Sequence, residues 1–120
     1  MGNFGKTEWV IPDGFMSDTK SETYVSHEAV CVLNLNKECA NVELQIYFEE
    51  EEPLLGFSAK CEGKRCNHIR LDKIVNKDGI KIPHEVPYAI LVKSDIPIVV
   101  QHSRMDVTQP NMTLMTTIAY

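Results

Sequence analysis

The chain has 120 residues, a formal net charge of −5 and 43% hydrophobic residues, which fits one globular domain spanning residues 1–120. The acidic balance argues against the broad basic surface that nucleic acids require, so nucleic-acid binding is not expected. No apolar run approaches the ~20 residues that cross a bilayer, and the N-terminus lacks the apolar segment of a secretory signal. We therefore expect a cytoplasmic protein without membrane insertion.

Short runs with strand character follow one another, and no stretch of ten or more residues favours a helix. The clearest run is 41–50, where Val42, Leu44, Ile46 and Phe48 alternate with polar residues, as in a strand with one wet face. The other predicted strands are residues 7–11, 25–34, a strand opening at 53–57, 61–71 with a turn or bulge at 62–64, 88–93, 96–104 and 113–120. This pattern predicts an all-β sandwich or barrel.

Three connections follow from residues that favour turns. Pro12-Asp13-Gly14 is predicted to be a turn that ends the first strand, and residues 17–24 are predicted to form a loop. Ser94-Asp95 is predicted to join residues 88–93 and 96–104 as a hairpin.

Metal and catalytic motifs are missing from the sequence. The four histidines are far apart, without the spacing of a metal site, and the four cysteines are expected to be free thiols in a reducing compartment. The run 49–52 of four glutamates is interpreted as a solvated turn. No Gly-x-Ser-x-Gly elbow, P-loop or dinucleotide glycine motif occurs. We therefore expect no metal, no cofactor and no enzymatic activity.

Polar residues crowd the end of the apolar strand that begins at Pro97. Successive strand residues point to opposite faces, so His102, Arg104 and Asp106 share one face and Gln101 lies on the other. The simpler interpretation is a strand that leaves the core and carries a surface ion pair of little energetic value.

A second polar cluster, Ser26-His27-Glu28, stands at the entry of the strand that contains Val30 and Val32. If this strand neighbours the one that ends in Arg104, then Glu28, Gln101, His102 and Arg104 line a common pocket. Such a set suits a small polyol or anion, because arginine, amide and carboxylate groups bind hydroxyls and acids. Trp9 or Tyr24 could supply a flat wall for a sugar ring, and the alternative for Trp9 is core packing.

Several blocks in order along the chain carry a family resemblance: Trp9, residues 26–34 (SHEAVCVLN), residues 82–84 (IPH), residues 97–106 (PIVVQHSRMD) and residues 116–120 (TTIAY). Together they resemble the Anabaena sensory rhodopsin transducer family. The resemblance implies a compact jelly-roll-like antiparallel β-sandwich that assembles as a homotetramer. It also implies a small-molecule-binding domain with sugars or related metabolites as favoured ligands, in a family whose founding member is a soluble transducer for a membrane photoreceptor. The matching blocks carry over these candidate pocket residues: Trp9, His27, Glu28, Gln101, His102, Arg104 and Asp106.

Two hypotheses about function follow. The leading one is a non-enzymatic cytoplasmic protein that binds a small polar ligand, such as a carbohydrate, and transmits a signal. The alternative is a protein-interaction module that transmits a signal from a membrane photoreceptor or another receptor or regulator. The sequence leaves open which candidate residues face a pocket and which face the core or a subunit interface, because a register error of one residue exchanges the two faces of a strand.

Overall fold

The computed structural model describes residues 4–18, 24–107 and 113–120. The described residues form seven strands: β1 (Lys6–Gly14), β2 (His27–Asn34), β3 (Ala40–Phe48), β4 (Leu54–Cys61), β5 (Arg65–Arg70), β6 (Tyr88–Asp106) and β7 (Thr113–Ile118). Every pairing between these strands is antiparallel. The predicted all-β antiparallel fold is therefore confirmed. No helix among the described residues is long and apolar enough to cross a membrane.

The nineteen-residue strand β6 belongs to two sheets. Its first half pairs with β1 and β3, and β3 pairs in turn with β4. Its second half pairs with β2 and β7, and β2 pairs in turn with β5. We call these groups the first sheet and the second sheet. A single long strand thus links the two layers of the sandwich.

A bend in β6 brings its two ends together. Tyr88 and His102, fourteen positions apart on this strand, hydrogen-bond the same carboxylate oxygen of Glu28. A straight strand would separate their backbones by about 46 Å at about 3.3 Å per residue. The bend lies between Ser94, where the pairing with β3 ends, and Val99, where the pairing with β2 begins.

The predicted hairpin at Ser94-Asp95 is therefore wrong, because both residues lie within β6. A two-residue hairpin turn needs positive φ angles, and the non-glycine residues with positive φ in the described chain are Lys64 and Glu85. Asp95 is held beside β3 instead, where its carboxylate accepts hydrogen bonds of 2.8 and 2.7 Å from the main-chain and side-chain nitrogens of Asn41.

The core lies between the two sheets and uses alternate residues of each strand. In β3, Val42, Leu44 and Ile46 are buried while Glu43 is exposed, as the alternation predicts. Phe57 of β4 is fully buried. Further buried apolar side chains include Ile11, Met16, Val30, Val32, Leu71, Ile90, Val92, Ile98 and Val100.

The predicted turn at Pro12-Asp13-Gly14 is also wrong, because these residues remain in β1. The register between β1 and β6 shifts between Ile11 and Gly14, and Gly14 then pairs with Tyr88. A Cβ atom on Gly14 would stand 2.4 Å from Cε1 of the Tyr88 ring. The glycine thus allows the ring to lie on the β1 backbone.

The remaining connections follow the predictions where the structure describes them. A turn at residues 62–64 separates β4 from β5, and the acidic run 49–52 is exposed beyond the end of β3. The four cysteines are free thiols, and Cys61 among them is buried. Of the predicted loop at 17–24, residues 19–23 lie outside the described residues.

Candidate functional site

Glu28 is fully buried at the centre of the candidate site, on β2 directly opposite Arg104 of β6. Its Oε1 accepts hydrogen bonds from the Tyr88 hydroxyl and, at 3.0 Å, from His102 Nε2. Its Oε2 accepts hydrogen bonds from Arg104 Nε at 2.7 Å and from the main-chain N–H of Phe15 at 2.8 Å. Four donors therefore converge on one carboxylate, and we call these groups the Glu28 network.

The surroundings of Glu28 favour its ionised form. Burial raises the pKa of a carboxyl group, but the hydrogen bonds from His102, Tyr88 and the Phe15 amide outweigh this effect and hold the pKa of Glu28 below its ordinary value. Burial, followed by the charge of Glu28, raises the pKa of Tyr88. At neutral pH the network therefore consists of a carboxylate and a protonated phenol that donates to it.

β7 adds a further member to this network. Thr117 lies opposite His102 in the pairing of β7 with β6, and its Oγ1 is 3.2 Å from His102 Nδ1. A carboxylate only accepts, so the hydrogen bond to Glu28 places a proton on His102 Nε2. When that is the only proton on the ring, Nδ1 can accept a hydrogen bond from the Thr117 hydroxyl. The two ring nitrogens of His102 are thus both occupied, and the imidazole orientation is fixed.

A cavity of about 220 Å³ lies at the outer end of the Glu28 network. We call it the Arg104 cavity; its lining residues are Ile11, Pro12, Asp13, His102, Arg104, Met115, Thr117, Ile118 and Tyr120. The Arg104 side chain is 20% exposed, and its Nη2 is 3.8 Å from Oδ1 of Asp13. Within the part of the chain that the structure describes, Nε carries the one hydrogen bond of this guanidinium. Its terminal nitrogens can therefore donate to a ligand.

A wider cleft of about 350 Å³ lies on the other side of Asp13, between Tyr47, Phe48, Pro87 and Tyr88. The Tyr47 hydroxyl donates to Gln45, and the Tyr88 hydroxyl donates to Glu28. The phenol protons of this cleft are thus already engaged. The Arg104 cavity is the better candidate, because binding sites combine an apolar wall with a few convergent polar groups.

The structure brings together three of the seven sequence-predicted site residues: Glu28, His102 and Arg104. Gln101 is exposed on the opposite face of β6. His27 also lies away from the cavity, with its Nδ1 2.9 Å from the carbonyl oxygen of Val25. The ligand-binding role of all these residues stays a prediction.

Trp9 and Asp106 do not line the Arg104 cavity either. The Trp9 indole N–H donates to the carbonyl oxygens of Lys6 and Ile98, each at 3.0 Å. The Lys6 ammonium stands 4.6 Å from the centre of the Trp9 ring. Asp106 is half-buried at the last position of β6. Trp9, one of the two residues considered as a flat wall for a sugar ring, therefore does not line this cavity.

Sequence reasoning missed Asp13, Tyr88 and Thr117. Asp13 was assigned to a turn, although it lies in β1 beside Arg104. Tyr88 and Thr117 were assigned to strands without a role. A buried glutamate needs several hydrogen-bond donors. This requirement was the one signal in the sequence that a tyrosine or threonine lies close to Glu28 or to its neighbours.

The described residues contain no group of three or more His, Cys, Asp and Glu side chains that could hold a metal ion. They also contain no buried side-chain nitrogen or oxygen without a hydrogen-bond partner. The buried polar groups of the Glu28 network are therefore satisfied within the protein itself.

Comparison with known proteins connects this chain to a family. The family model described as Anabaena sensory rhodopsin transducer matches residues 4–120. The crystal structure of Thermotoga maritima 1070 is similar at 36% identity and a TM-score of 0.88, covering 100% of this chain and 96% of that chain. The structure of the Anabaena sensory rhodopsin transducer is similar at 34% identity and a TM-score of 0.74, covering 82% of this chain and 96% of that chain. A search of curated proteins finds no match. The chain belongs to the Anabaena sensory rhodopsin transducer family.

Proposed function

We propose that this chain is a cytoplasmic, non-enzymatic signal transducer that binds a small polar ligand, such as a carbohydrate, in the Arg104 cavity. One observation carries the proposal. The Arg104 guanidinium is anchored through Nε by the buried carboxylate of Glu28, and Arg104 lines the cavity. A relative in the same family is the transducer of a sensory rhodopsin, which supports the signalling role.

The anchoring of Arg104 favours binding because it lowers the entropic cost of ordering the side chain. A free arginine side chain loses rotamer freedom when it grips a ligand, and prior fixation reduces this loss. The cavity of about 220 Å³ is smaller than the roughly 300–1,000 Å³ of sites for drug-sized ligands. A ligand about the size of a monosaccharide fits this volume.

The walls of the cavity also suit a sugar ring. The Thr117 hydroxyl and the Asp13 carboxylate can exchange hydrogen bonds with ligand hydroxyls, while Met115, Ile118 and Tyr120 offer apolar surface to the ring carbons.

The state of the Glu28 network supports binding rather than catalysis. Glu28 is fully buried and already accepts four hydrogen bonds, so its carboxylate is not available to take a proton from a ligand. Both ring nitrogens of His102 are likewise engaged. A general base needs a free acceptor atom within hydrogen-bonding distance of the proton that it removes, and neither Glu28 nor His102 offers one.

Calorimetric titration with a panel of monosaccharides, sugar alcohols and sugar acids tests this proposal. We expect at least one member to bind the wild type and Arg104→Lys to weaken that binding by tenfold or more. Lysine keeps a positive charge near Glu28 but loses the planar guanidinium with its several donors. Arg65→Lys is the matched control, because Arg65 is exposed on β5, and it should bind as the wild type does. The proposal fails if no panel member binds the wild type, or if Arg104→Lys binds equally well.

A second candidate function, the protein-interaction module, is favoured by the outer face of the second sheet. Leu114 and Ile118 of β7 are 68% and 73% exposed, and Met105 lies beside Leu114 in the pairing with β6. Exposed apolar patches of this kind mark protein interfaces. We propose that copies of this chain meet on this face to form a homotetramer, and that a receptor or regulator protein is a further partner of the assembly.

Sedimentation equilibrium tests the homotetramer. The wild type is expected to sediment with four times the protomer mass of 13.6 kDa. Leu114→Asp should shift the distribution toward smaller species, because it places a charge in an apolar interface. Leu55→Asp, at a 50% exposed leucine of β4, is the control and should leave the mass unchanged. A monomeric wild type, or an unaltered mass for Leu114→Asp, would refute the assignment.

A further inference from the structure

The charges around the Arg104 cavity do not balance. Among the described residues that line the cavity, Arg104 is the one lysine or arginine, and it stands between two carboxylates. Glu28 lies 2.7 Å from Arg104 Nε, and the 85% exposed side chain of Asp13 lies 3.8 Å from Nη2. Two carboxylates therefore flank one guanidinium, and this excess of carboxylates over cations disfavours an anion in the cavity.

The donors of Arg104 are also committed in a way that disfavours an acid. A carboxylate or phosphate is bound most strongly when two parallel N–H groups of a guanidinium point at it. Nε donates to Glu28, and Nη2, on the same side of the guanidinium, stands 3.8 Å from the Asp13 carboxylate. A ligand anion would have to approach the remaining end, next to the Asp13 carboxylate.

A neutral hydroxyl group fits the same surroundings. Each hydroxyl both donates and accepts a hydrogen bond. Of two adjacent hydroxyls on a ligand, one can accept from a terminal nitrogen of Arg104 while the other donates to the Asp13 carboxylate, since these two groups are 3.8 Å apart. A sugar acid would match the arginine but meet a like charge at Asp13.

We infer that the Arg104 cavity takes a neutral polyol with adjacent hydroxyl groups, either a sugar or a sugar alcohol, in preference to the corresponding sugar acid, and that Asp13 sets this selectivity. The inference rests on the proposed function, because it concerns the ligand class of the same cavity. In this inference, Arg104 binds hydroxyl groups of the ligand and does not bind an anion.

Calorimetry on matched ligand pairs tests the inference: glucose with glucuronate, galactose with galacturonate, and sorbitol with gluconate. For the wild type we expect the neutral member of a binding pair to bind about tenfold more tightly. This lies between the roughly fourfold that like charges about 5 Å apart cost in bulk water and the roughly two-hundredfold or more that they cost at the lower dielectric constant of a protein surface. Added salt should narrow the difference because it screens the repulsion. Asp13→Asn should strengthen binding of the acid about tenfold and should change binding of the neutral member less.

Asp78→Asn is the control variant, because Asp78 is exposed in the turn at residues 76–79, and it should keep the wild-type preference. A melting curve for each variant verifies that it is folded. If an acid binds the wild type as tightly as its neutral partner, or if Asp13→Asn leaves the preference unchanged, the inference is overturned while the proposed function stands. If neither member of any pair binds, the proposed function fails and the inference fails with it.

Discussion

Replacing Glu28 with glutamine is expected to lower the free energy of unfolding by about 3–5 kcal/mol, the usual cost of breaking a buried ion pair. Glutamine has nearly the same shape, but it offers one acceptor oxygen and an NH₂ group. All four partners of Glu28 donate hydrogen bonds. With the NH₂ group toward Tyr88 and His102, the Tyr88 hydroxyl proton loses its acceptor, and Arg104 loses the negative charge that balances it.

Chemical denaturation and thermal melting measure this effect. For a domain of this size the loss corresponds to a decrease of roughly 10 °C or more in Tm. Glu43→Gln is the matched control, because Glu43 lies on β3 with its side chain exposed, and it should change the stability by less than about 0.5 kcal/mol. Equal stabilities for the two variants would show that the four hydrogen bonds contribute nothing to folding.

The pH dependence of stability gives a second readout for Glu28→Gln. The folded pKa of Glu28 lies below its ordinary value of 4.5. Its contribution is thus fully present above about that pH and is lost as the pH falls through the folded pKa. The difference in stability between the wild type and Glu28→Gln should therefore shrink on acidification below 4.5. Asp72 and Asp95 also have lowered pKa values, but they are present in both proteins and do not affect this difference.

Replacing Val92 with proline is expected to prevent the chain from folding or to cost well over 3 kcal/mol. Val92 is fully buried in β6, with Trp9 of β1 on one side and Leu44 of β3 on the other. Proline cannot donate to the sheet, and its ring clashes with the neighbouring backbone, so it is not tolerated in a strand with partners on both sides. Circular dichroism and denaturation of the purified variant report the outcome.

Ile96→Pro is the comparison variant for Val92→Pro. Ile96 lies in the bend of β6, between the last residue paired with β3 and the first residue paired with β2. Its main-chain N–H donates to the Ser94 hydroxyl at 3.4 Å, and the next residue is already Pro97. The variant should fold and lose only part of the side-chain packing. If both prolines cost the same, the bend is not a distinct segment of β6.

The sequence was sufficient to predict what depends on local alternation. β3 was predicted because apolar residues alternate with polar residues along it. The structure buries Val42, Leu44 and Ile46 as this pattern requires. The proximity of Glu28 and Arg104 was predicted on the condition that their two strands are neighbours, and β2 does pair with β6. Each lies at the polar end of a valine-rich strand, and two such ends meet when the strands pair in antiparallel fashion.

The predictions that were wrong concern segments whose conformation depends on contacts with residues far away in the sequence. Ser94-Asp95 has turn composition, but Asn41 of β3 holds Asp95 in the strand. Pro12-Asp13-Gly14 has turn composition too, and Gly14 is instead the place where the Tyr88 ring packs. Propensity cannot reveal such contacts, because they join residues that are far apart in the chain. Asp13 was missed as a site residue for the same reason.

The bend in β6 has a consequence for how the length of this chain can vary. Tyr88 and His102 both reach one oxygen of Glu28 from opposite halves of β6, and both must point inward to do so. Deleting or inserting one residue between them would exchange the two faces of one half of β6, so either the phenol or the imidazole would point outward. The number of residues between Tyr88 and His102 is thus fixed, because both side chains must reach the same carboxylate oxygen.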